Sequence, residues 1–378
     1  MSCCGGGAVI AAPADKKYRA VTDGKYPEPT DFVPITGNDV KDIKPRPNIQ
    51  NTEVDENGNF IRQQNLFTVP FGDGEGLNPV EAGKYRLVWA KGCNWSNRAS
   101  IVRELLGLED AISVNLVNMG SDDIGYGWEF VYNENHRDPV LGTRFLAEHY
   151  AKNIPGFAGR ATVPSVIDIE TGKVVNNDYH RLTNYFEVEW KPFHKAGAPD
   201  LYPEELRSEI DKLNEWLFHN INNGVYKIQF AVSYKAYQTA YDNFYAAMDI
   251  LEKRLSDRRF LFGDYVTDSD VRLFVTLARL DSAYAQNMGP TKHRLVDYPN
   301  LWGYARDLWQ IPAFQNNTYF VDFSAHFNSD KHGSDRREFR SYTERFVHEI
   351  NFDELWGSAH GRQWLSSDPA NKFKVESV

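Results

Sequence analysis

The 378-residue chain contains only three cysteines, and this scarcity excludes a disulfide framework. Cys3 and Cys4 adjoin a glycine-rich stretch and are too close together to staple a domain, whereas Cys93 stands apart from both. The pattern is typical of a reducing compartment and of a free thiol, so we expect a cytoplasmic protein. The first twelve residues also lack the basic region of a secretory signal.

Other absences narrow the range of partners. The chain has no apolar run near the roughly 20 residues that cross a bilayer, so we expect no membrane span. Its formal net charge of -10 disfavours binding to nucleic acid or to an anionic membrane. None of the 10 histidines, His326 and His332 near the C-terminus included, has the spacing of a metal site, so we expect no metal.

What the chain does contain is typical of a globular protein of about two domains. Hydrophobic residues make up 42% of it and charged residues 25%, enough to bury a core. Residues 1–80 are rich in Pro, Gly, Asp and Asn, and we interpret them as an extended segment that wraps the surface or is partly disordered. We interpret residues 81–195 as an α/β domain, 200–325 as a helical domain and 326–378 as a C-terminal tail.

Hydrophobic periodicity beginning at Tyr85 predicts the element order of a thioredoxin fold. Residues 85–90 are typical of a buried strand and residues 92–94 of a turn, and apolar residues at helical spacing follow as far as Gly107. Adding the later segments gives the order β-α-β-α-β-β-α. Those segments are a strand over 112–117, a helix over 139–151, strands over 162–169 and 173–175, and a helix over 178–189.

Beyond Pro203 the pattern indicates helices, which predicts a second, all-α domain. One apolar stripe predicts a long helix over 206–221 that ends at Gly224. Thr267 and Asp270 form a capping pattern at the start of a later helix. The remaining predicted helices cover 233–255 and 299–309, the second of them stopped by Pro312.

Cys93 is the strongest candidate for a catalytic residue. It lies at the turn between the first strand and the first helix, where unpaired backbone N–H groups and the helix dipole favour a thiolate over a thiol. Arg98 follows within two turns and adds to the positive field. The alternative is a buried, inert thiol with a packing role.

Two further features of the α/β domain point towards a ligand. Pro164 interrupts an otherwise good strand, which predicts either an edge strand or a cis Val163-Pro164 bond beside the helix start, where the Val163 backbone would pair with an extended peptide. Asp178 opens a predicted helix. It is interpreted either as an N-cap or as a carboxylate that, with the helix N-terminus, holds a charged end of a peptide ligand.

Several short motifs, in this order and spacing, resemble those of the Xi-class glutathione transferases, the glutathionyl-hydroquinone reductases. Residues 92–98 (GCNWSNR) are similar to the family's active-site turn, Cys-Pro-Trp-Ala-x-Arg. The resemblance runs from about residue 50 to 325. The other motifs that carry it are Gly127-Trp128-Glu129-Phe130, Gly159-Arg160-Ala161-Thr162-Val163-Pro164, Asn222-Asn223-Gly224-Val225-Tyr226, Phe260-Leu261-Phe262-Gly263-Asp264, Asp270-Val271-Arg272-Leu273-Phe274 and Tyr298-Pro299-Asn300-Leu301-Trp302-Gly303-Tyr304.

The resemblance implies a glutathione transferase architecture, with a thioredoxin-like domain and a helical bundle domain, usually in a homodimer. It implies an enzyme in which Cys93 removes glutathione from a glutathionyl-hydroquinone through a mixed disulfide that a second glutathione resolves. Glutathione would be the cosubstrate and an aromatic conjugate the substrate. The implied glutathione-site residues are Trp128, Arg160, Val163, Pro164, Asp178 and Tyr179, and the candidates for the aromatic site are Tyr226, Tyr284 and Tyr304. For Tyr284 and Tyr304, packing in the core is an equally good interpretation.

Three departures from the family's pattern leave alternatives open. Asn94 replaces the proline that follows the cysteine, and Asp178-Tyr179 replaces a Glu-Ser pair that holds the γ-glutamyl end. His326-Phe327-Asn328 replaces a His-Tyr-Tyr segment, which removes a tyrosine hydroxyl. The alternatives are a thiol transferase of the same fold that uses a different small thiol, and a non-catalytic binding module.

Overall fold

A four-stranded mixed sheet lies at the centre of the N-terminal domain in the structure, a computed structural model that describes residue 30 and residues 33–119, 125–324 and 344–375. The strands in chain order are β1 (Tyr85–Trp89), β2 (Ile112–Leu116), β3 (Asn118–Met119), β4 (Trp128–Glu129), β5 (Ser165–Asp168) and β6 (Val174–Asn176). The sheet has the order β2-β1-β5-β6, and β3 and β4 form a separate antiparallel pair. Strand β1 pairs parallel with β2 and antiparallel with β5. This sheet confirms the predicted thioredoxin-like fold.

Both faces of the sheet are covered, which is why β1 and β2 are buried along their whole length. Side chains alternate across the sheet, so Leu87 packs on one face and Val88 on the other. The four helices in this half of the chain are α1 (Ile49–Thr52), α2 (Asn94–Leu106), α3 (Leu146–Asn153) and α4 (Leu182–Val188). Helix α2 covers the Leu87 face of the sheet, and α3 covers the Val88 face.

The predictions for α3 and α4 are wrong at their N-terminal ends. Instead of entering a helix at 139, the chain forms a loop in which the Asp138 carboxylate accepts the N–H groups of Val140 and Leu141. The second helix begins at Leu182, with Arg181 as its N-cap residue. Asp178 is therefore not the N-cap. Its carboxylate accepts the His180 N–H in the preceding turn instead.

The C-terminal domain is helical, as predicted. Helix α8 (Asp268–Leu280) runs through its core, and every residue of this helix is buried. The predicted helix over 206–221 ends earlier, at Leu217, and a π-helical turn of residues 218–222 follows. Gly224 begins the next helix, and glycine fits this position because a Cβ atom there would lie 3.2 Å from the Phe244 ring. Pro312 likewise opens a helix. The helices are α5 (Arg207–Leu217), α6 (Gly224–Phe230), α7 (Tyr234–Arg254), α8 (Asp268–Leu280), α9 (Pro299–Trp309), α10 (Pro312–Asn316) and α11 (Phe320–Ser324).

The last described stretch, residues 344–375, folds back onto the helical domain. Trp356 is buried against Trp302 and Phe320. Further on, Lys372 donates to the buried Asp307 carboxylate at 2.8 Å. The departure predicted at residues 326–328 lies outside the described residues, as do Cys3, Cys4 and His332. No helix within the described ranges is both long and apolar enough to cross a membrane.

Candidate active site

Cys93 occupies the N-cap position of α2, with its backbone extended and its side chain partly exposed. The thiol faces the Val163 carbonyl oxygen at 3.8 Å. The Val163-Pro164 peptide bond is cis, which is one of the two alternatives that the interrupted strand pattern left open. Trp128 in β4 packs at the edge of the same apolar cluster as Cys93. The fold thus brings together the predicted nucleophile and two segments that are distant in the sequence.

Arg98 is buried beneath the start of α2. Its Nε and Nη2 atoms have no hydrogen-bond partner among the described residues, and its guanidinium lies 4.9 Å from the centre of the Trp95 ring. Burial, together with the neighbouring Arg272 charge, lowers the pKa of Arg98 to about 9. Arg98 interacts electrostatically with the Asp268 carboxylate and also with Cys93, so a buried positive charge lies near the thiol.

Arg279 of α8 reaches from the helical domain to the backbone that precedes Cys93. It donates to the Lys91 carbonyl at 2.9 Å, to the Gly92 carbonyl at 3.1 Å and to the Asn97 side chain at 3.0 Å. The helical domain therefore holds the active-site turn directly. The sequence did not identify Arg279 as a site residue. The one feature that could have indicated it was an arginine among the apolar residues of a helix.

Arg160 lies at the surface of the N-terminal domain, where the N-terminal segment holds it. Its Nε and Nη2 atoms donate to one oxygen of Glu53 at 2.9 and 2.6 Å, and the second oxygen accepts the Gln63 N–H. Gln63 also bonds the Arg160 backbone through both ends of its amide. Part of the predicted extension is thus built into the site, and no local pattern in the sequence indicated this.

Asp178 and Tyr179 lie beside this segment. Asn65 donates to the Asp178 carboxylate at 3.0 Å. Tyr179 is buried, and its ring centre lies 4.9 Å from that of Trp95. Burial raises the pKa of Tyr179, whereas the nearby Arg62 and Arg98 charges lower it. The bulky phenol therefore fills space beside Trp95 next to two guanidinium groups.

Two of the three predicted aromatic-site tyrosines meet within the helical domain, and one of them also contacts the N-terminal domain. The Tyr226 hydroxyl donates to the Asn94 side-chain oxygen at 3.2 Å and lies 3.2 Å from the Tyr284 hydroxyl. Arg62 packs 4.5 Å from the ring centres of both Trp95 and Tyr226. Burial raises the pKa of both tyrosines, so their hydroxyls stay protonated at neutral pH.

Of the two interpretations of Tyr304, the structure agrees with packing in the core. This side chain is fully buried within the helical domain, where its hydroxyl donates to the Asp270 carboxylate at 2.7 Å. It therefore belongs to the core of the helical domain.

No group of three or more His, Cys, Asp or Glu side chains able to hold a metal occurs in the described part of the chain.

Comparisons with known proteins agree with this architecture. Residues 234–307 match the family model described as "Glutathione S-transferase, C-terminal domain". The chain is 34% identical over 277 residues to the glutathionyl-hydroquinone reductase YqjG of Escherichia coli, which covers 71% of this chain and 84% of that protein.

Solved structures give the same result for the fold. The glutathione-S-transferase Xi of Phanerochaete chrysosporium has a TM-score of 0.67 at 35% identity, covering 72% of this chain and 89% of that one. The glutathione-bound structure of YqjG has a TM-score of 0.64 at 31% identity, covering 74% of this chain and 91% of that one. These matches span most of each relative, so the likeness includes both domains.

Proposed function

Because this chain belongs to the Xi-class glutathione transferases, the family of the glutathionyl-hydroquinone reductases, we propose that it removes glutathione from glutathionyl-hydroquinones. The observation that carries the proposal is the partly exposed Cys93 thiol. It lies at a helix start, faces the Val163 carbonyl and is close to the buried Arg98 charge. A partly exposed cysteine at a helix start beside a positive charge is typical of a nucleophilic thiol.

In the first step, the Cys93 thiolate attacks the sulfur that joins glutathione to the ring. A sulfur–sulfur bond forms as the ring carbon–sulfur bond breaks, and the electron pair passes to the ring carbon, which then takes up a proton. The ring carbon is reduced, and the two sulfurs are oxidised to a mixed disulfide. A hydroquinone is a suitable leaving group because its hydroxyl lets the ring tautomerise and stabilise the departing carbon.

In the second step, the thiolate of another glutathione attacks the glutathionyl sulfur of the mixed disulfide. Oxidised glutathione leaves, and the Cys93 thiolate is restored. One glutathione is thus consumed for each hydroquinone released. The proposed glutathione site consists of Trp128, Arg160, the Val163-Pro164 backbone, Asp178 and Tyr179, and Tyr226 and Tyr284 line the aromatic site.

Mass spectrometry of the intact protein tests this proposal. After incubation with a glutathionyl-hydroquinone and no free thiol, we expect one glutathione adduct on Cys93 and one equivalent of released hydroquinone. Cys93→Ala should show neither, whereas Tyr304→Phe, a change in the helical core, should retain both. Hydroquinone release by folded Cys93→Ala would exclude the proposed mechanism.

A specific observation favours a second candidate, a transferase of the same fold that uses another small thiol. Glu53 neutralises the charge of Arg160, so this arginine attracts a carboxylate of glutathione less strongly. Tyr179, which packs beside Trp95, is also bulkier than the serine that the family's pattern places there. Both differences weaken the binding expected for glutathione. Thermal stabilisation by glutathione and by other γ-glutamyl thiols separates the two candidates, because a bound ligand raises the melting temperature by mass action. We expect glutathione to stabilise the protein most.

We also propose that the protein is a homodimer in the cytoplasm. The proposed dimer rests on the family's usual assembly, and the proposed location rests on the scarcity of cysteine. Light scattering on the purified protein tests the dimer, and imaging of a tagged full-length chain tests the location.

A further inference from the structure

The Phe323 ring of α11 covers one face of the Arg279 guanidinium. The ring centre lies 3.6 Å from the guanidinium carbon, so the two groups are in direct contact. Both side chains are buried. A cation over the face of a buried aromatic ring is attracted by the ring, and a planar guanidinium can lie flat against it. Phe323 therefore fixes the tilt of Arg279, the residue that reaches the active-site turn.

The edge of the same guanidinium holds the turn before Cys93. Its Nη2 and Nε atoms donate to the carbonyl groups of Lys91 and Gly92, and Nη1 donates to the Asn97 side chain. Burial lowers the pKa of Arg279, and an electrostatic interaction with Cys93 opposes this effect. All three nitrogen atoms are thus directed by the guanidinium plane, and a tilt of that plane would weaken these hydrogen bonds together.

The C-terminal stretch holds α11 in place. Phe320, three residues before Phe323, stacks on Phe352 with ring centres 4.7 Å apart, and its ring centre lies 5.4 Å from that of Trp356. Both partners belong to the helix Phe352–Gly357 of the last described stretch. A series of packed aromatic rings therefore leads from this stretch through α11 to Arg279.

We propose that Phe323 is a positioning residue for Cys93, and that the C-terminal stretch acts on the thiol through it. The ring keeps the Arg279 guanidinium in the orientation that holds the Lys91 and Gly92 carbonyls, and these two residues fix where the Cys93 side chain begins. Phe323 acts only through Arg279. The inference goes beyond the proposed function, because it concerns the reactivity of the thiol towards any electrophile.

Alkylation by iodoacetamide tests the inference, because this reagent needs no glutathione site. Mass spectrometry of the peptide that contains Cys93 follows the rate, so the thiols of Cys3 and Cys4 do not contribute. Phe323→Leu keeps an apolar side chain but removes the aromatic face, and we expect alkylation to slow about five- to tenfold, the range for loss of a buried cation–π contact. Phe323→Tyr keeps the aromatic face and should react at nearly the rate of the unaltered protein.

The matched control is Phe314→Leu. Phe314 is also buried, and its ring centre lies 4.9 Å from that of Phe274 in α8, the helix that carries Arg279. This variant should lower stability and leave the rate of alkylation unchanged. In the Arg279→Met background, Phe323→Leu should have no further effect on the rate, because the group that the ring positions is absent.

Phe352→Leu serves as a second variant at the partly exposed end of the ring series, where a substitution leaves the core of the helical domain intact. We expect it to slow alkylation about twofold or more, since an aromatic pair that holds α11 is lost. An unchanged rate in folded Phe323→Leu or in Phe352→Leu, an equal loss in Phe314→Leu, or a full further loss in the Arg279→Met background overturns the inference. None of these measurements uses a glutathione conjugate, so the inference can stand where the proposed function fails.

Discussion

His180 lies between the rings of Tyr179 and Phe218, with ring centres 4.4 and 4.5 Å away. Burial lowers its pKa to about 3, and the charges of Arg98 and Arg272 add to the effect. Because the ring is buried and the Arg98 charge is near, a protonated imidazole is unfavourable here. At the residue scale, the buried Arg98 charge near Cys93 thus makes the fold less stable in acid.

We predict that this histidine makes the fold sensitive to acid. His180 stays neutral in the folded state down to about pH 3, whereas in the unfolded chain it takes up a proton below its ordinary value near 6.5. Its contribution to stability is therefore present above about pH 6.5 and is lost as the pH falls towards 3.

Urea unfolding at a series of pH values measures the effect. His180→Phe keeps the ring packing and should lose less stability between pH 6.5 and pH 4 than the unaltered protein. Substitution of the exposed His348 by Gln serves as the control and should leave the pH dependence unchanged. Equal acid sensitivity of His180→Phe and the unaltered protein contradicts the prediction.

At the element scale, the buried N-terminus of α8 needs partners for its free N–H groups. Thr267 is the N-cap residue, and the Asp270 carboxylate accepts both its N–H and its hydroxyl at 2.8 and 2.9 Å. Asp270 also accepts the Leu261 N–H and the Tyr304 hydroxyl. The cap therefore joins the helix start to the preceding loop and to α9.

We predict that Thr267→Ala lowers the free energy of unfolding by about 1–2 kcal/mol, because the buried Asp270 carboxylate loses the hydroxyl that donates to it in the cap. Thr267→Ser keeps the hydroxyl and should lose less than about half of that. Chemical denaturation of the three proteins measures the difference. If alanine and serine destabilise the protein equally, the loss comes from packing of the methyl group and not from the cap.

At the scale of the whole molecule, contacts between distant segments complete the site. Arg279 holds the turn before Cys93 from the helical domain, and Glu53 holds Arg160 from the N-terminal segment. Two domains and an extension thus meet around one thiol. The two domains should therefore unfold together, because neither retains the active-site geometry without the other.

We predict that Arg279→Met lowers the free energy of unfolding by about 3 kcal/mol, because buried carbonyl groups lose a charged donor. The rate of adduct formation at Cys93 should fall as well, since the turn before it is released. Arg254→Met is the matched control, because Arg254 donates to the Leu261 carbonyl within the helical domain. It should destabilise the protein and leave the rate of adduct formation unchanged. A normal rate in Arg279→Met would show that the turn is held by other contacts.

The sequence by itself determined the features that depend on neighbours along the chain. The strand, turn and helix around Cys93 follow from local hydrophobic periodicity. The cap of α8 follows from the spacing of Thr267 and Asp270. Local conformation depends on such short-range patterns, so these predictions were confirmed.

Only the tertiary structure decided which distant side chains meet. Tyr284 and Tyr304 were equal candidates, and the fold places the first beside Tyr226 and the second in the helical core. Asn94 contacts a residue 132 positions away, and Glu53 one 107 positions away. No local pattern encodes such pairings, because they arise when whole faces of helices and sheets pack to bury apolar surface.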